Sequence, residues 1–220
     1  MKGRTTLEGI ALARVDLVPG RLAVYAAEDP DALLENLTEE AFRASDERMP
    51  YFATLWPAGR ALALVVMEGP LLAGLDVLDL GAGVGAVGLA ALTRGARVTF
   101  LDWEPRALAI VRAAAADQGL EGATFRTADW RAPPPDLGRF DRVLAADVLY
   151  EARNVPAVAS FLACHLAPGG EGWVADPRRT PAEAFPEALG EAGLVERGTQ
   201  VLRAPPPGGQ VVVHRVALAP

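Results

Sequence analysis

The sequence predicts an α/β fold: a mostly parallel sheet with helices on both faces and an antiparallel hairpin at its C-terminal end. Three observations predict it. From about residue 75, apolar runs of strand length alternate with helical patterns, and such alternation implies parallel strands joined by crossover helices. One apolar run ends in an acid and a glycine-rich turn, Val77-Leu78-Asp79-Leu80-Gly81-Ala82-Gly83-Val84-Gly85, which is how a βαβ unit that grips a nucleoside is written. The chain closes on strand, proline–glycine turn, strand, the signature of a hairpin.

Each element has its own warrant. Residues 4–27 read as two short strands around Val18-Pro19-Gly20-Arg21, a turn signal. Asp29-Pro30 and Thr38-Glu39-Glu40 read as helix starts, with acids in the first turn. Residues 1–47 are more polar than the rest and read as an appended α+β cap, with 48–220 as the main domain. Pro57 suits the first turn of a helix from Ala58 to Met67. Strands are expected at 76–80, 97–102, 123–128, 141–147 and 171–176, and helices at 85–94, 105–118, 154–167 and 181–192. Strands at 200–203 and 211–218 flank Pro205-Pro206-Pro207-Gly208-Gly209 as the hairpin, bringing the sheet to seven strands.

Composition removes several function classes. The net charge of −7 argues against a nucleic-acid partner, since phosphate-backbone binders carry a basic face. The single cysteine, Cys164, excludes an internal disulfide framework and is expected to be a small buried residue in a helix. One cysteine and two distant histidines, His165 and His214, offer no metal-ligand cluster. The longest apolar stretch, 61–75, is broken by Glu68-Gly69-Pro70, so no membrane span is expected. Met1-Lys2-Gly3-Arg4-Thr5 lacks the apolar core of a secretory leader, which leaves the cytoplasm as the expected compartment.

In an open parallel sheet, ligands bind beyond the carboxyl ends of the strands. Four predicted strand ends carry acids there: Asp79, Asp102, Asp129 and Asp147. Asp102 ends the apolar run that follows the glycine turn by about twenty residues, where an acid takes hydrogen bonds from ribose hydroxyls. Trp103 and Trp130 follow two of these acids, and Trp56 precedes the predicted helix at 58. Three indoles at one rim offer apolar walls for an adenine ring and a face for a cation. Gly83, Gly85 and Gly88 satisfy the dinucleotide spacing G-x-G-x-x-G, so a NAD-dependent oxidoreductase stays open. Asp79, two residues before Gly81, speaks against it, because a pyrophosphate would be repelled there.

The stretch D-x-G-x-G at Asp79–Gly83 resembles the first motif of the S-adenosylmethionine (SAM) methyltransferases. The segment Pro50-Tyr51-Phe52-Ala53-Thr54-Leu55-Trp56-Pro57-Ala58-Gly59-Arg60-Ala61-Leu62-Ala63 resembles the one before that motif in the seven-β-strand protein-lysine methyltransferases. Asp147-Val148-Leu149-Tyr150 is similar to their D-x-x-Y signature, and Asp176-Pro177-Arg178-Arg179 to the D-P-x-R of the branch that includes the lysine methyltransferase of the electron-transfer flavoprotein β subunit and bacterial nicotinamide N-methyltransferase-like proteins. The resemblance covers about residues 48–180 and implies a Rossmann-like seven-stranded fold with SAM as cofactor. It implies that Trp56 and Trp130 flank the adenosine, that Gly81-Ala82-Gly83 pass under the methionine and ribose, and that Asp102 holds the ribose. It further implies that Ala146 lines the cleft and that Asp147 and Tyr150 face the methyl acceptor.

The expected activity is methyl transfer to an amine nitrogen, with Asp147 orienting the amine and Tyr150 walling its channel. A protein lysine leads as acceptor, and a small-molecule amine or a catalytically silent SAM-binding module are the alternatives. Nucleobase amines and release-factor glutamine are disfavoured, because their enzymes show N/D-P-P-Y/F where this chain has Asp147-Val148-Leu149-Tyr150. Arg178 and Arg179 read equally as a contact for an acidic substrate surface and as a solvated pair.

Overall fold

Two tight turns fold the N-terminal residues into a three-stranded antiparallel sheet, β1 (Arg4–Leu7), β2 (Ile10–Val18) and β3 (Leu22–Ala27). The sequence reading expected two strands here. The extra turn is Glu8-Gly9, where both residues have positive φ, 51° and 78°, the mirror-image geometry that matches the twist of a two-residue hairpin. The computed structural model describes residues 4–35, 38–44, 49–203 and 209–220.

Two short helices follow, α1 (Asp31–Glu35), capped by Asp29, and α2 (Glu39–Ala44). A 3-10 turn at Tyr51–Ala53 leads into α3 (Pro57–Glu68), with Trp56 at its N-cap and Pro57 as its first residue. The alternating region then supplies β4 (Asp76–Leu80), α4 (Ala86–Thr93), β5 (Arg97–Asp102), α5 (Pro105–Asp117), β6 (Ala123–Thr127), β7 (Phe140–Ala146) and α6 (Asn154–His165). It ends with β8 (Leu166–Asp176), a 3-10 turn at Thr180–Ala184, α7 (Phe185–Glu191), β9 (Leu194–Arg203) and β10 (Gln210–Leu218).

The main sheet has seven strands in the order β6-β5-β4-β7-β8-β10-β9, parallel from β6 through β8 and antiparallel at β10 and β9. Strand order runs one way from β4 to β6 and the other way from β7 to β8, so a crevice opens between β4 and β7 at their carboxyl ends. Alternate residues serve the two helical layers. Val77, Phe100 and Leu144 pack toward α3, α4 and α5, whereas Leu78, Leu80 and Leu101 pack toward α6 and α7. The N-terminal sheet joins the first layer: Leu22 and Val24 share the core with Val111 and Ala114 of α5. The Gln118 side-chain amide pairs with both backbone groups of Ala23, at 2.7 and 2.9 Å.

Two strand starts and one burial expectation differ from the sequence reading. β8 begins at Leu166, directly after α6, because Leu166 pairs with Phe140 before the ladder shifts and resumes at Arg142 and Glu171. Pro168-Gly169-Gly170 is thus an irregularity inside a strand. β9 begins at Leu194 and not at 200; it is a mostly exposed edge strand, so its residues lack the alternation that announces a strand. Cys164, expected to be buried, is exposed on the outer side of α6. The expected hairpin turn at 205–208 lies outside the described residues. Among the described residues no helix is long and apolar enough to cross a membrane.

Gly88 sets how closely α4 approaches the sheet. A Cβ there would stand 2.2 Å from Phe100 Cε1 and 2.7 Å from Asp79 Oδ2. Its absence lets the Gly88 amide donate to Asp79 Oδ2 at 2.9 Å. Gly88→Ala should therefore cost about 1–3 kcal/mol through overpacking. At this chain length that lowers the thermal midpoint by about 2–4 °C per kcal/mol, measurable by calorimetric unfolding; an unchanged midpoint would mean that the helix yields freely.

Candidate active site

The crevice between β4 and β7 is a cleft lined by Trp56, Gly81, Gly83, Asp102, Trp103, Trp130, Ala146, Asp147 and Tyr150. It continues into a second recess lined by Trp56, Gly59, Asp79, Gly81, Ala82, Gly83 and Ala146. Eleven of the twelve residues expected from sequence therefore meet in two connected recesses. The twelfth, Asp129, lies in an adjoining recess with Trp103, Trp130 and Tyr150, and its carboxylate is clamped by Arg131 at 2.9–3.0 Å.

Backbone amides hold the strand-end carboxylates. Asp102 is 5% exposed; its Oδ2 accepts from the Gly83 amide at 2.8 Å and its Oδ1 from the Glu104 amide at 3.0 Å. The Trp103 amide also bears on this carboxylate, and its remaining lone-pair capacity can accept a ligand hydroxyl. Burial pushes the Asp102 carboxyl up to about 6, against the pull of the Glu104 and Gly83 amides. Burial pushes Asp79 further, to about 7, against the Gly88 amide and helped by the negative Asp102. Asp79 is thus half-protonated near neutrality, and its repulsion of an anion is weaker than a full charge would give.

The indoles form the walls. Trp130 is buried, and its ring packs so closely on the glycine turn that a Cβ at Gly81 would lie 2.9 Å from it. Among the described residues the Trp130 Nε1–H has no partner. Trp56 donates Nε1–H to the Tyr51 carbonyl at 3.1 Å and meets the Tyr51 ring edge-on at 5.5 Å between centroids. Trp103 is half-buried and turns toward the same space.

Asp147 ties the mouth together. It follows β7 with φ at 57°, a left-handed conformation that costs a non-glycine residue about 1–2 kcal/mol. Its Oδ2 accepts from the Ala58 amide in the first turn of α3 at 3.0 Å, and its Oδ1 from Arg179 Nη2 at 3.1 Å. Burial raises the Asp147 carboxyl, while Arg179 and the Ala58 and Gly59 amides pull it down. Tyr150 is half-buried beside it and lines both the cleft and the Asp129 recess.

Arg179 is a site residue that the sequence named only as one of a pair with Arg178. The D-P-x-R pattern pointed at it, but nothing local distinguishes it from Arg178, which turns to Gln210 at 2.7 Å. Met49, Tyr51 and Phe52 also line the cleft; their segment was noted but not their part in the wall. Among the described residues no group of three or more His, Cys, Asp or Glu is arranged to hold a metal ion. His165 bonds the Gly138 carbonyl and His214 bonds Glu196, both away from the cleft.

These residues fit a sulfonium nucleoside: a glycine turn for close approach, indole walls, a carboxylate with remaining lone-pair capacity and a carboxylate-lined mouth. Residues 77–170 match the family described as a methyltransferase domain. The ubiquinone biosynthesis O-methyltransferase of Azotobacter vinelandii is 34% identical over 63% of this chain and 61% of its own. The electron transfer flavoprotein β subunit lysine methyltransferase of Rattus norvegicus is 30% identical over 59% of this chain and 51% of its own. This chain therefore spans between half and two thirds of the length of these relatives. The magnesium protoporphyrin IX methyltransferase of Synechocystis PCC 6803, solved with bound SAH, shares the fold at a TM-score of 0.58 and 20% identity, over 72% of this chain and 80% of that one. The chain thus shares the Rossmann-like fold of these methyltransferases, and its residues 77–170 resemble a methyltransferase domain.

Asp79 makes the stability of the ligand-free protein depend on pH. A carboxyl held at about 7 when folded, against 3.8 unfolded, contributes stability that is complete below the unfolded value and is lost as pH rises through the folded one. Asp79→Asn should raise the thermal midpoint of the ligand-free protein by several degrees at pH 8 and by less at pH 5. An equal change at both would remove the burial of Asp79 as the cause.

Proposed function

We propose that this protein transfers a methyl group from SAM to an amine nitrogen and that the acceptor is a protein lysine side chain. The observation that carries the reading is the mouth of the cleft, where Asp147, Trp56 and Tyr150 line the same opening as the glycine turn and Asp102. An opening framed by a carboxylate and an indole suits a cationic alkyl chain. The similarity to a lysine methyltransferase supports this acceptor.

When bound, SAM supplies an electrophilic methyl on a sulfonium, transferred by in-line displacement. On this reading Asp102 accepts a ribose hydroxyl on its remaining lone-pair capacity, and Trp130 and Trp103 wall the base. Gly81, Ala82 and Gly83 pass beneath the amino-acid portion, with buried Asp79 behind the turn. The partly polar, partly apolar wall excludes water from the sulfonium and holds the nitrogen in line, a positioning contribution of about 7–11 kcal/mol in well-oriented systems. A lysine ammonium, of reference pKa about 10.4, has no lone pair and must first lose its proton. Asp147 accepts a hydrogen bond from the amine and fixes its direction, Tyr150 confines its alkyl chain, and the proton leaves through the open mouth to water. We read the residues 1–47 cap as an outer buttress, since its sheet seats on α5 behind the turn that carries Phe52.

A small-molecule acceptor is the second reading, favoured by the similarity to a ubiquinone biosynthesis O-methyltransferase. Incubating a cell lysate with the protein and tritiated SAM separates the two: label in a protein band supports lysine, label in the small-molecule fraction supports the second reading, and no transfer refutes both.

The cofactor assignment has its own test. Asp102→Ala should weaken SAM binding at least about tenfold, since a charge-assisted hydrogen bond of about 1.5–3 kcal/mol is removed. Calorimetry should also show no binding of NAD. Unaltered SAM affinity in the variant would reject the ribose role of Asp102.

A further inference from the structure

At the acceptor end of the cleft the charges are unevenly matched. Asp147 and Asp176, at the ends of neighbouring strands, both meet Arg179: its guanidinium binds Asp147, whereas its backbone amide donates to Asp176. Asp176 is 1% exposed; its Oδ1 accepts from the Arg179 amide at 2.7 Å, while its Oδ2 is buried without a partner among the described residues. The Arg179 Nε–H is likewise buried without a partner. An unfilled acceptor and an unfilled donor thus lie on residues three apart in one tight turn. Meanwhile the Arg179 guanidinium carbon stands 5.5 Å from the centre of the Trp56 ring as Nη2 binds Asp147. The Arg179 side chain is one-third exposed, at 34% accessibility.

A cation held between an indole face and a carboxylate is what an alkylammonium requires. We propose that Trp56 and Asp147 form the ammonium subsite for the methyl acceptor, that Arg179 occupies it in the free protein, and that Arg179 transfers to Asp176 Oδ2 when the acceptor enters. The proposal rests on the amine-methylation reading and gives that site its recognition chemistry. Before entry, one arginine serves Asp147 and leaves Asp176 Oδ2 unfilled. After entry, each carboxylate has its own cation: the acceptor ammonium on Asp147 and Arg179 on Asp176. The exchange also confers selectivity, because a neutral acceptor cannot replace the guanidinium on Asp147 and would leave that carboxylate unpaired. Arg179 and Asp176 are positioning residues, acting through the carboxylate that meets the acceptor.

The probe is n-butylammonium, the lysine side chain without its backbone, titrated into the complex with S-adenosylhomocysteine. Two-dimensional NMR would follow the Trp56 indole N–H and the Arg179 Nε–H. Both signals should move saturably with n-butylammonium and stay still with n-butanol. Arg179→Gln removes the resident cation and should tighten n-butylammonium binding by about fivefold, the scale of one cation contact at a half-exposed ring. Asp176→Asn withdraws the receiving carboxylate and should weaken it by about the same factor. Both variants should keep wild-type affinity for S-adenosylhomocysteine. Weaker or unchanged n-butylammonium binding in Arg179→Gln overturns the proposal, since a purely structural arginine cannot tighten the site by leaving. Should Asp176→Asn fail to fold, Arg179→Gln decides alone. Failure of S-adenosylhomocysteine to bind the wild type would instead reject the methyltransferase reading, whatever the amine does.

Discussion

Four buried carboxylates at the carboxyl edge of the sheet, each bonded to a backbone amide, organise this molecule. Asp79 accepts from Gly88, Asp102 from Gly83, Asp147 from Ala58 and Asp176 from Arg179. A buried carboxylate without such partners is costly, and so is a buried loop amide. Each bond removes both costs at once and fixes a segment that strand pairing cannot reach. The glycine turn is pinned from β5, α4 is pinned from β4, and the entry of α3 is pinned from β7. The cleft is the space left between these tied segments.

The same ties explain why the site is built at some cost to stability. Asp79 and Asp102 are pushed up to about 7 and 6 by burial, so negative charge on them is disfavoured. A cationic ligand beside them relieves that penalty, and the relief appears as affinity. Asp147 adds backbone strain to burial. Strain and half-satisfied charge at one edge, over a core that packs without them, are what a binding edge maintained for function looks like.

What the sequence made legible was local. An acid at the end of an apolar run, glycines after it and an indole next to an acid are signals contained within a few residues; they located Asp79, Gly81, Asp102, Trp103, Trp130 and Asp147 in two connected recesses. The seven strands of the main sheet and its antiparallel end followed from alternation and the closing hairpin. What stayed illegible depends on residues far apart in the chain. The partner of Asp147 in α3 is 89 residues away, and Arg179 is 32 residues away. Asp129 carries the same local signal as the others, but Arg131, two residues on, takes its carboxylate. Cys164 sits in an apolar helical pattern whose outer face no periodicity at the helix end could mark. The Glu8-Gly9 turn was readable in principle, yet an acid followed by glycine is a weaker hairpin signal than Asn-Gly or Asp-Gly.

The central claim is that the cleft between β4 and β7 seats the nucleoside with its sugar on Asp102 and its sulfur toward Asp147. A crystal structure with S-adenosylhomocysteine tests this most directly. The account predicts a ribose hydroxyl within hydrogen-bonding distance of the Asp102 carboxylate, the base against Trp130 and the sulfur facing the opening beside Asp147 and Tyr150. A nucleoside seated elsewhere, or bound here with its sugar away from Asp102, would contradict it.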